Sequence, residues 1–196
     1  MIFYYFCCAL VRIATFFVFR IRACGRENVP KKGGAILAVN HRSNWDVIIA
    51  GLECPRMLRF MAKAELFKNK FFGGLLKKLG AFPVQRGKGD VGAIKSAIGT
   101  LERNHVMLIF PEGRRMRNGQ RAEHAKGGAA MLAVRTGVPV IPVYISGEYK
   151  WMHKITITFG KPITFEEYAG KKLSSDENQK LGDEILNKIY SLDTIE

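Results

Sequence analysis

The stretch Val39-Asn40-His41-Arg42-Ser43-Asn44-Trp45-Asp46 joins the end of an apolar run to the start of a helical pattern. The run, residues 35–39, is short and continuous, which is typical of a strand buried on both faces of a sheet. Ser43 is a good N-cap residue, and it predicts a helix from Ser43 to about Leu52. A buried strand followed directly by a helix indicates a sheet that is covered by helices.

His41 and Asp46 are the candidate base and orienting carboxylate within this stretch. A histidine can take a proton from a hydroxyl near neutral pH, and a carboxylate on its other ring nitrogen fixes the tautomer. Residues five apart on a helix point about 140° away from each other, so we expect His41 in the turn before the helix, with Asp46 at the third helical position. Ser43-x-x-Asp46 also matches a capping box, so capping alone would explain Asp46.

The rest of the chain alternates between strand and helix patterns. Strands are expected at 59–63, 82–84, 106–110, 138–145 and 155–159, and helices at 65–79, 90–103 and 128–135, with a final helix ending near Leu192. Because proline lacks an N–H for the ladder, Pro139 and Pro142 indicate that the strand at 138–145 is an edge strand or that the prolines lie at its ends. The pattern predicts one α/β domain, residues 25–196, with a mixed, largely parallel sheet. In the helix predicted at 65–79, the core-facing positions are Leu66, Phe67, Phe71, Leu75 and Leu79. In the helix predicted at 90–103, they are Val91, Ile94, Ile98 and Leu101, and Asp90 is its N-cap.

Composition and charge restrict the class of partner. The chain has 196 residues, 47% hydrophobic and 24% charged, which suits one globular domain. Its 31 Lys and Arg against 17 Asp and Glu give a net charge of +14, which favours an anionic partner, either nucleic acid or anionic lipid. The four cysteines lack metal-ligand spacing, so we expect no metal site and a reducing compartment.

The N-terminal segment, residues 1–24, favours lipid. Between Met1 and Phe19 only Arg12 and Thr15 are not apolar. A full span needs about 20 apolar residues, and Arg12 near its middle costs roughly 3 kcal/mol, so we expect an element that dips into one leaflet. Arg20, Arg22 and Arg26 would then lie at headgroup depth. The alternative is a buried N-terminal helix of a soluble domain.

Three further stretches follow apolar runs. They are Gly80-Ala81-Phe82-Pro83-Val84-Gln85-Arg86, Phe110-Pro111-Glu112-Gly113-Arg114-Arg115 and Val138-Pro139-Val140-Ile141-Pro142-Val143. Ligands of open α/β sheets bind outside the carboxyl ends of strands, so these stretches are expected to converge. The Arg86 guanidinium suits a bidentate contact to phosphate, and Gly113 allows a backbone N–H to approach a ligand. Solvated arginines and lysines are the alternative for Arg86, Lys63 and Lys126.

In this order and spacing, with Asn40-His41-x4-Asp46 first, the four blocks resemble those of the 1-acylglycerol-3-phosphate acyltransferase family. The resemblance runs from about Gly25 to Lys161, and the Lys126-Gly127 pair agrees with it. Two positions depart from the family pattern. Arg114 stands where Thr or Ser commonly precedes the arginine of the third block, and Pro83 stands where the second block usually has an aliphatic residue.

The resemblance implies a membrane-associated enzyme on the cytoplasmic face of the cell membrane, needing no cofactor. His41 is the implied base and Asp46 its partner. The free sn-2 hydroxyl of a lysophospholipid, lysophosphatidic acid first, would attack the thioester of acyl-CoA or acyl carrier protein directly and give phosphatidic acid. Arg86 is implied in binding the acceptor phosphate and Glu112 and Gly113 in binding the acceptor. Further substrate contacts are expected from Arg115, Lys63 and Lys126.

Three alternatives remain open at the level of sequence. The same chemistry could act on glycerol 3-phosphate or on another lysolipid. A hydrolase would release the acyl group to water, but the chain has no G-x-S-x-G nucleophile elbow. A basic protein that binds nucleic acid or a lipid surface without catalysis is supported only by the net charge of +14.

Overall fold

A single sheet organises the chain. The computed structural model describes residues 2–84, 91–116, 120–169 and 171–194. Within them the strand order is β1-β7-β6-β2-β5-β3-β4. The strands are β1 Arg20–Cys24, β2 Ala35–Val39, β3 Leu58–Lys63, β4 Ala81–Val84, β5 Val106–Ile109, β6 Val140–Gly147 and β7 Lys154–Phe159.

Helices cover both faces of the sheet. They are α1 Ile2–Phe16, α2 Trp45–Glu53, α3 Lys70–Lys78, α4 Val91–Glu102, α5 Gly128–Thr136 and α6 Ser175–Ser191. Alternate residues of β2 enter two separate apolar clusters: Leu37 packs with Ile49 of α2, and Ile36 packs on the opposite face with α4, α5 and α6. The run 35–39 is fully buried, so the prediction of a strand covered on both faces is confirmed.

The strand directions bring distant loops together. The pairs β2–β5, β2–β6, β3–β5 and β3–β4 are parallel, so β2 to β6 all end at one edge of the sheet, which we call the carboxyl edge. Because β7 is antiparallel to β6 and β1 is parallel to β7, these two strands begin at that edge. The ends of β2, β4 and β5 therefore lie at this edge, as the sequence predicted for the stretches at 39–46, 80–86 and 110–115. The fourth stretch, residues 138–143, leads into the start of β6 and begins at the opposite edge, so its predicted place is wrong.

The predicted helix 65–79 is divided in two. A 3₁₀ turn, Ala64–Phe67, precedes α3, and the Asn69 side chain caps α3 by accepting from Phe72 N at 3.0 Å. Gly73 is the buried residue of α3, and a Cβ there would come within 2.9 Å of the Phe67 backbone. Residues two positions apart on a helix point about 200° away from each other, as Phe71 and Gly73 do. Phe71 therefore points away from that contact and is 86% exposed. The inward positions predicted for Phe71 and Leu66 are wrong.

Two further expectations fail for reasons of context. Val91 is 62% exposed because it opens the first turn of α4, whereas Leu101 is buried as predicted. β6 is a central strand between β2 and β7, so the edge position is wrong. Pro142 stands one residue before the pairing with β7 begins, and its carbonyl still accepts from Gly160 N at 2.8 Å. Pro139 precedes the strand, as expected. The predicted cap Asp90 lies outside the described residues.

The N-terminal helix α1 rests on α2. Tyr4 Oη donates to the carbonyl of Gly51 at 3.3 Å, and Arg12 donates to the buried Glu53 at 2.9 Å. Most other large apolar side chains of this segment are exposed, so the alternative of a buried helix is wrong: Ile2, Phe3, Tyr5, Phe6, Leu10, Val11, Ile13, Phe16 and Phe17. Across the described ranges, no helix is both long and apolar enough to cross a membrane.

The turn between α3 and β4 gives a test of the fold. Gly80 has φ +96°, and a Cβ there would lie 2.2 Å from the carbonyl oxygen of Leu58. We expect Gly80→Ala to lower the free energy of unfolding by about 1–3 kcal/mol in urea denaturation. Gly74, inside α3 with open space around its Cβ position, is the control. Gly74→Ala should raise stability by roughly 0.5–1 kcal/mol, and equal effects of the two substitutions would contradict the assignment.

Candidate active site

Asn40 directly follows strand β2 and is the first residue of the site. Its side-chain amide is buried and pairs with β6, because Nδ2 donates to the carbonyl of Ile145 at 3.0 Å and Oδ1 accepts from Ile145 N at 2.7 Å. The Asn40 side chain thus replaces the backbone of β2 as the hydrogen-bonding partner of β6. This pairing lets the main chain turn at His41, at the carboxyl edge.

His41 lies in the turn before α2, as predicted. Its Nδ1 is 2.9 Å from Asp46 Oδ2, and its ring stacks on Phe110 with centroids 3.9 Å apart and planes at 16°. The helix begins at Trp45 with Asn44 at the N-cap, so Asp46 is the second helical residue and the predicted third position is wrong. Since Nδ1 faces the carboxylate, Nε2 is the ring nitrogen left for a substrate.

Asp46 is fully buried and receives four hydrogen bonds. Oδ2 accepts from Arg42 N at 2.6 Å and from Ser43 N at 2.7 Å, besides the His41 ring. Oδ1 accepts from the hydroxyl of Tyr149. The carboxylate therefore caps the turn into α2 and also contacts the His41 ring, so capping does not exclude a role in orienting His41. A buried carboxylate needs such a full set of donors.

Tyr149 is a member of the site that the sequence did not reveal. It lies in the β6–β7 connection, 103 residues from Asp46. Burial, with the neighbouring Asp46 carboxylate adding to it, raises the pKa of the Tyr149 hydroxyl, so the hydroxyl stays protonated and donates. No local pattern marks this tyrosine.

Glu112 holds the backbone of His41. Its carboxylate is buried; Oε2 accepts from His41 N at 2.7 Å and Oε1 accepts from the Tyr190 hydroxyl at 2.7 Å. Burial raises the pKa of Glu112, and the hydrogen bonds from Tyr190 and His41 N lower it in part. Both oxygens are thus engaged by protein donors, so this geometry suits positioning of His41 more than a direct contact to substrate.

Tyr190 brings the C-terminal helix α6 into the site and was also missed. While its hydroxyl donates to Glu112, the same oxygen accepts from Ala122 N at 2.9 Å. The loop after β5 is held at two more points, because Met116 N donates to the His41 carbonyl at 2.7 Å and Lys126 N donates to that of Pro111 at 2.6 Å. The turn at His41, the loop after β5 and α6 therefore form one hydrogen-bonded unit.

Gly113 and Lys126 lie together beside Glu112. Gly113 has φ +70°, and a Cβ there would meet Lys126 Cγ at 2.6 Å, so the lysine stem covers this glycine. These residues line a surface cleft of about 710 Å³ together with Arg114, Arg121 and His124. Arg121 is already paired with Asp193 at 2.5 Å. The cleft is a polar, largely basic surface next to the histidine turn.

The other predicted substrate contacts lie along the same edge or outside the described part. Arg115 is exposed, and its Nη1 donates to Asn44 Oδ1 at 3.1 Å, at the start of α2. Lys63 ends β3, two strands from β2, opposite Val84 in the register. Arg86 lies outside the described residues. In the described ranges no three His, Cys, Asp or Glu side chains are grouped as metal ligands.

Comparisons with known proteins agree on one family. A family model described as Acyltransferase matches residues 20–146. A 1-acyl-sn-glycerol-3-phosphate acyltransferase of Bacillus subtilis is 30% identical, covering 94% of each chain. The enzyme of the same name from Streptococcus pneumoniae is 33% identical over 81% of this chain and 60% of its own length. The crystal structure of the 1-acyl-sn-glycerophosphate (LPA) acyltransferase PlsC from Thermotoga maritima superposes with a TM-score of 0.70 at 26% identity, over 93% of this chain and 76% of that one.

The hydrogen bond from Tyr149 to Asp46 makes a prediction about stability. Tyr149→Phe removes a donor from a buried carboxylate, so we expect the free energy of unfolding to fall by about 1.5–3 kcal/mol in urea denaturation. Tyr168→Phe is the control, because Tyr168 is a half-buried ring beneath Lys171 in another part of the chain. The control should stay within about 0.5 kcal/mol of the wild type, and similar losses in both variants would contradict the role of the Tyr149 hydroxyl.

Proposed function

The chain belongs to the acyltransferase family, and we propose that it moves a fatty acyl group from a thioester to the sn-2 hydroxyl of 1-acylglycerol 3-phosphate. The product is phosphatidic acid, a step of phospholipid biosynthesis. The observation that carries the proposal is the contact of His41 Nδ1 with the buried Asp46 at 2.9 Å, which leaves Nε2 to act as the base. The names of the relatives support the choice of acceptor.

The chemistry proceeds without an acyl-enzyme. His41 Nε2 takes the proton of the acceptor hydroxyl while that oxygen attacks the thioester carbonyl. Asp46 stabilises the resulting imidazolium through Nδ1. The tetrahedral intermediate collapses with cleavage of the carbon–sulfur bond, and the departing thiolate takes the proton from Nε2. The balance is one ester formed and one thiol released, with the histidine returned to its starting state.

The acceptor phosphate binds on the basic side of the carboxyl edge. Arg86 is assigned to it by the motif resemblance, and in the sequence it stands two residues after the end of β4. Lys126, folded over Gly113 beside Glu112, and Lys63 at the end of β3 supply further positive charge. Arg115, next to the N-terminus of α2, extends the same surface. Cationic groups converging on one edge suit a phosphomonoester.

The enzyme works at the membrane surface. Apolar and aromatic side chains of α1 stay exposed after α1 packs on α2, which supports their insertion into one leaflet at the cytoplasmic face of the cell membrane. The net charge of +14 suits both an anionic bilayer and an acidic donor. The donor is an acyl thioester of coenzyme A or of acyl carrier protein, and no cofactor is needed.

The assay that tests this function supplies a labelled acyl thioester with a set of acceptors. Wild-type protein should acylate 1-acylglycerol 3-phosphate in preference to glycerol 3-phosphate and other lysolipids. His41→Ala should lose about 100- to 10,000-fold of this rate, the contribution expected of a general base. His105→Ala, at the opposite end of β5, is the control and should keep its rate.

Two outcomes would contradict the proposal. Near-wild-type turnover by His41→Ala, with vesicle binding retained, would remove the histidine from the mechanism. Release of free fatty acid without acylation of any acceptor would instead make the protein a hydrolase.

Glu112 allows the positioning role and the acceptor-binding role to be separated. Glu112→Gln leaves either His41 N or the Tyr190 hydroxyl without its acceptor, which costs about 1–3 kcal/mol. If the carboxylate acts through His41, kcat should fall roughly 5- to 150-fold while the acceptor KM stays nearly constant. Tyr190→Phe should lower kcat in the same direction.

The matched control is Glu123→Gln, an exposed carboxylate that lines the same cleft. It should leave kcat unchanged. A rise in acceptor KM at constant kcat for Glu112→Gln would show that Glu112 contacts the acceptor directly.

A further inference from the structure

Three cations share one exposed surface of the outer strands. Arg20 of β1 is directly opposite Lys154 of β7, and Arg22 follows two residues along β1. Alternate residues of a strand lie on one face, and opposed residues of paired strands share a face. The intervening residues Ile21 and Ile155 pack into the core, so Arg20, Arg22 and Lys154 point away from it.

These three neighbouring cations repel one another. Like charges directly opposite each other in a ladder are destabilising. In the part of the chain that the structure describes, Arg20, Arg22 and Lys154 form no salt bridge, whereas Arg26 and Arg12 are both paired with Glu53. Asp193 lines a small cleft with Arg22 and Lys154, but it is already paired with Arg121 at 2.5 Å. The three cations are therefore suited to an anion supplied from outside the chain.

An aromatic rim adjoins these cations. The same three residues line a cleft of about 900 Å³ with Phe16, Phe17 and Trp151. Trp151 is 77% exposed, and its Nε1 donates to the carbonyl of Phe17 at 3.0 Å. Exposed tryptophan and phenylalanine beside cations are typical of the interface between hydrocarbon and lipid headgroups. An anion held in an apolar rim fits a lipid phosphate better than a nucleic acid.

The surface lies at the edge that carries the candidate active site. β1 and β7 begin at the carboxyl edge, so Arg20 and Lys154 are at that edge. The connection between β6 and β7 contains both Trp151 and Tyr149, and Tyr149 donates to Asp46. A single residue, Lys150, thus separates a contact to the His41–Asp46 pair from the aromatic rim along the chain.

We propose that Arg20, Arg22 and Lys154, with the rim of Phe17 and Trp151, bind the phosphate groups of anionic lipids in a bilayer. The bound lipids turn the carboxyl edge towards the membrane, where a lipid acceptor would reach His41. This site adjoins the end of α1, whose Phe16 lines the same cleft, but it takes no part in the transfer chemistry and binds lipid without any acyl donor.

Vesicle sedimentation without substrates tests the site. The probes are vesicles of phosphatidylcholine alone and vesicles of phosphatidylcholine mixed with phosphatidylglycerol. Each basic residue near an anionic surface contributes a factor of about five, so the triple variant Arg20→Gln, Arg22→Gln, Lys154→Gln should lose roughly 100-fold in partitioning to the anionic vesicles. The control variant Lys161→Gln, Lys172→Gln, Lys180→Gln removes the same charge from exposed positions elsewhere.

The control should lose far less binding than the triple variant. Equal losses in the two variants, or none in the triple variant, would overturn the proposal. Binding of the wild type to double-stranded DNA but not to anionic vesicles would also overturn it. Because the assay contains no acyl donor, failure of acyl transfer would count against the proposed function and leave this result standing.

Two measurements guard against misfolding of the triple variant. The charge-retaining variant Arg20→Lys, Arg22→Lys should keep most of the binding to anionic vesicles. Loss of binding in this variant would contradict a phosphate site whose affinity depends on positive charge. In a Trp45→Phe background, Trp151 is the remaining tryptophan. Its fluorescence should shift to the blue with anionic vesicles, and an unchanged spectrum at saturating vesicles would overturn the placement of Trp151 at the interface.

Discussion

The buried carboxylate of Asp46 is the constraint on which the site depends. A charge with no access to water is tolerated only when its oxygens are supplied with donors. Here the donors come from the turn itself, from the His41 ring and from Tyr149 in a remote connection. The need to satisfy one carboxylate thus fixes the turn after β2, the start of α2, the orientation of the imidazole and the position of the β6–β7 connection.

A second buried carboxylate, Glu112, repeats this principle on the other side of His41. It joins the histidine backbone to Tyr190 of α6, so a helix near the end of the chain supports a turn near its beginning. With Asp46 holding the ring and Glu112 holding the main chain, the histidine is fixed from two directions. For the proposed base, preorganisation of this kind removes the reorganisation that a free histidine would need before proton transfer.

The sequence predicted those features that depend on residues close together along the chain. The continuous apolar run of β2 predicted a strand buried on both faces, and the spacing of His41 and Asp46 predicted a turn before a helix. Tyr149 and Tyr190 could not be identified from the sequence, because each donates to a carboxylate that is far away along the chain and close only in the folded protein. The error at Phe71 has a related cause. A periodic apolar pattern identifies the face of a helix, but the protein or partner that covers this face depends on tertiary packing.

The central claim is that Asp46 holds His41 with its proton on Nδ1 and its lone pair on Nε2. Nitrogen NMR of the imidazole, with His41 assigned by substitution, measures this directly. The account predicts the Nδ1–H tautomer near neutral pH in the wild type, and a shift of the tautomer balance in Asp46→Asn. A wild-type His41 that carries its proton on Nε2 would contradict the account, because such a ring could not accept the proton of the acceptor hydroxyl at that nitrogen.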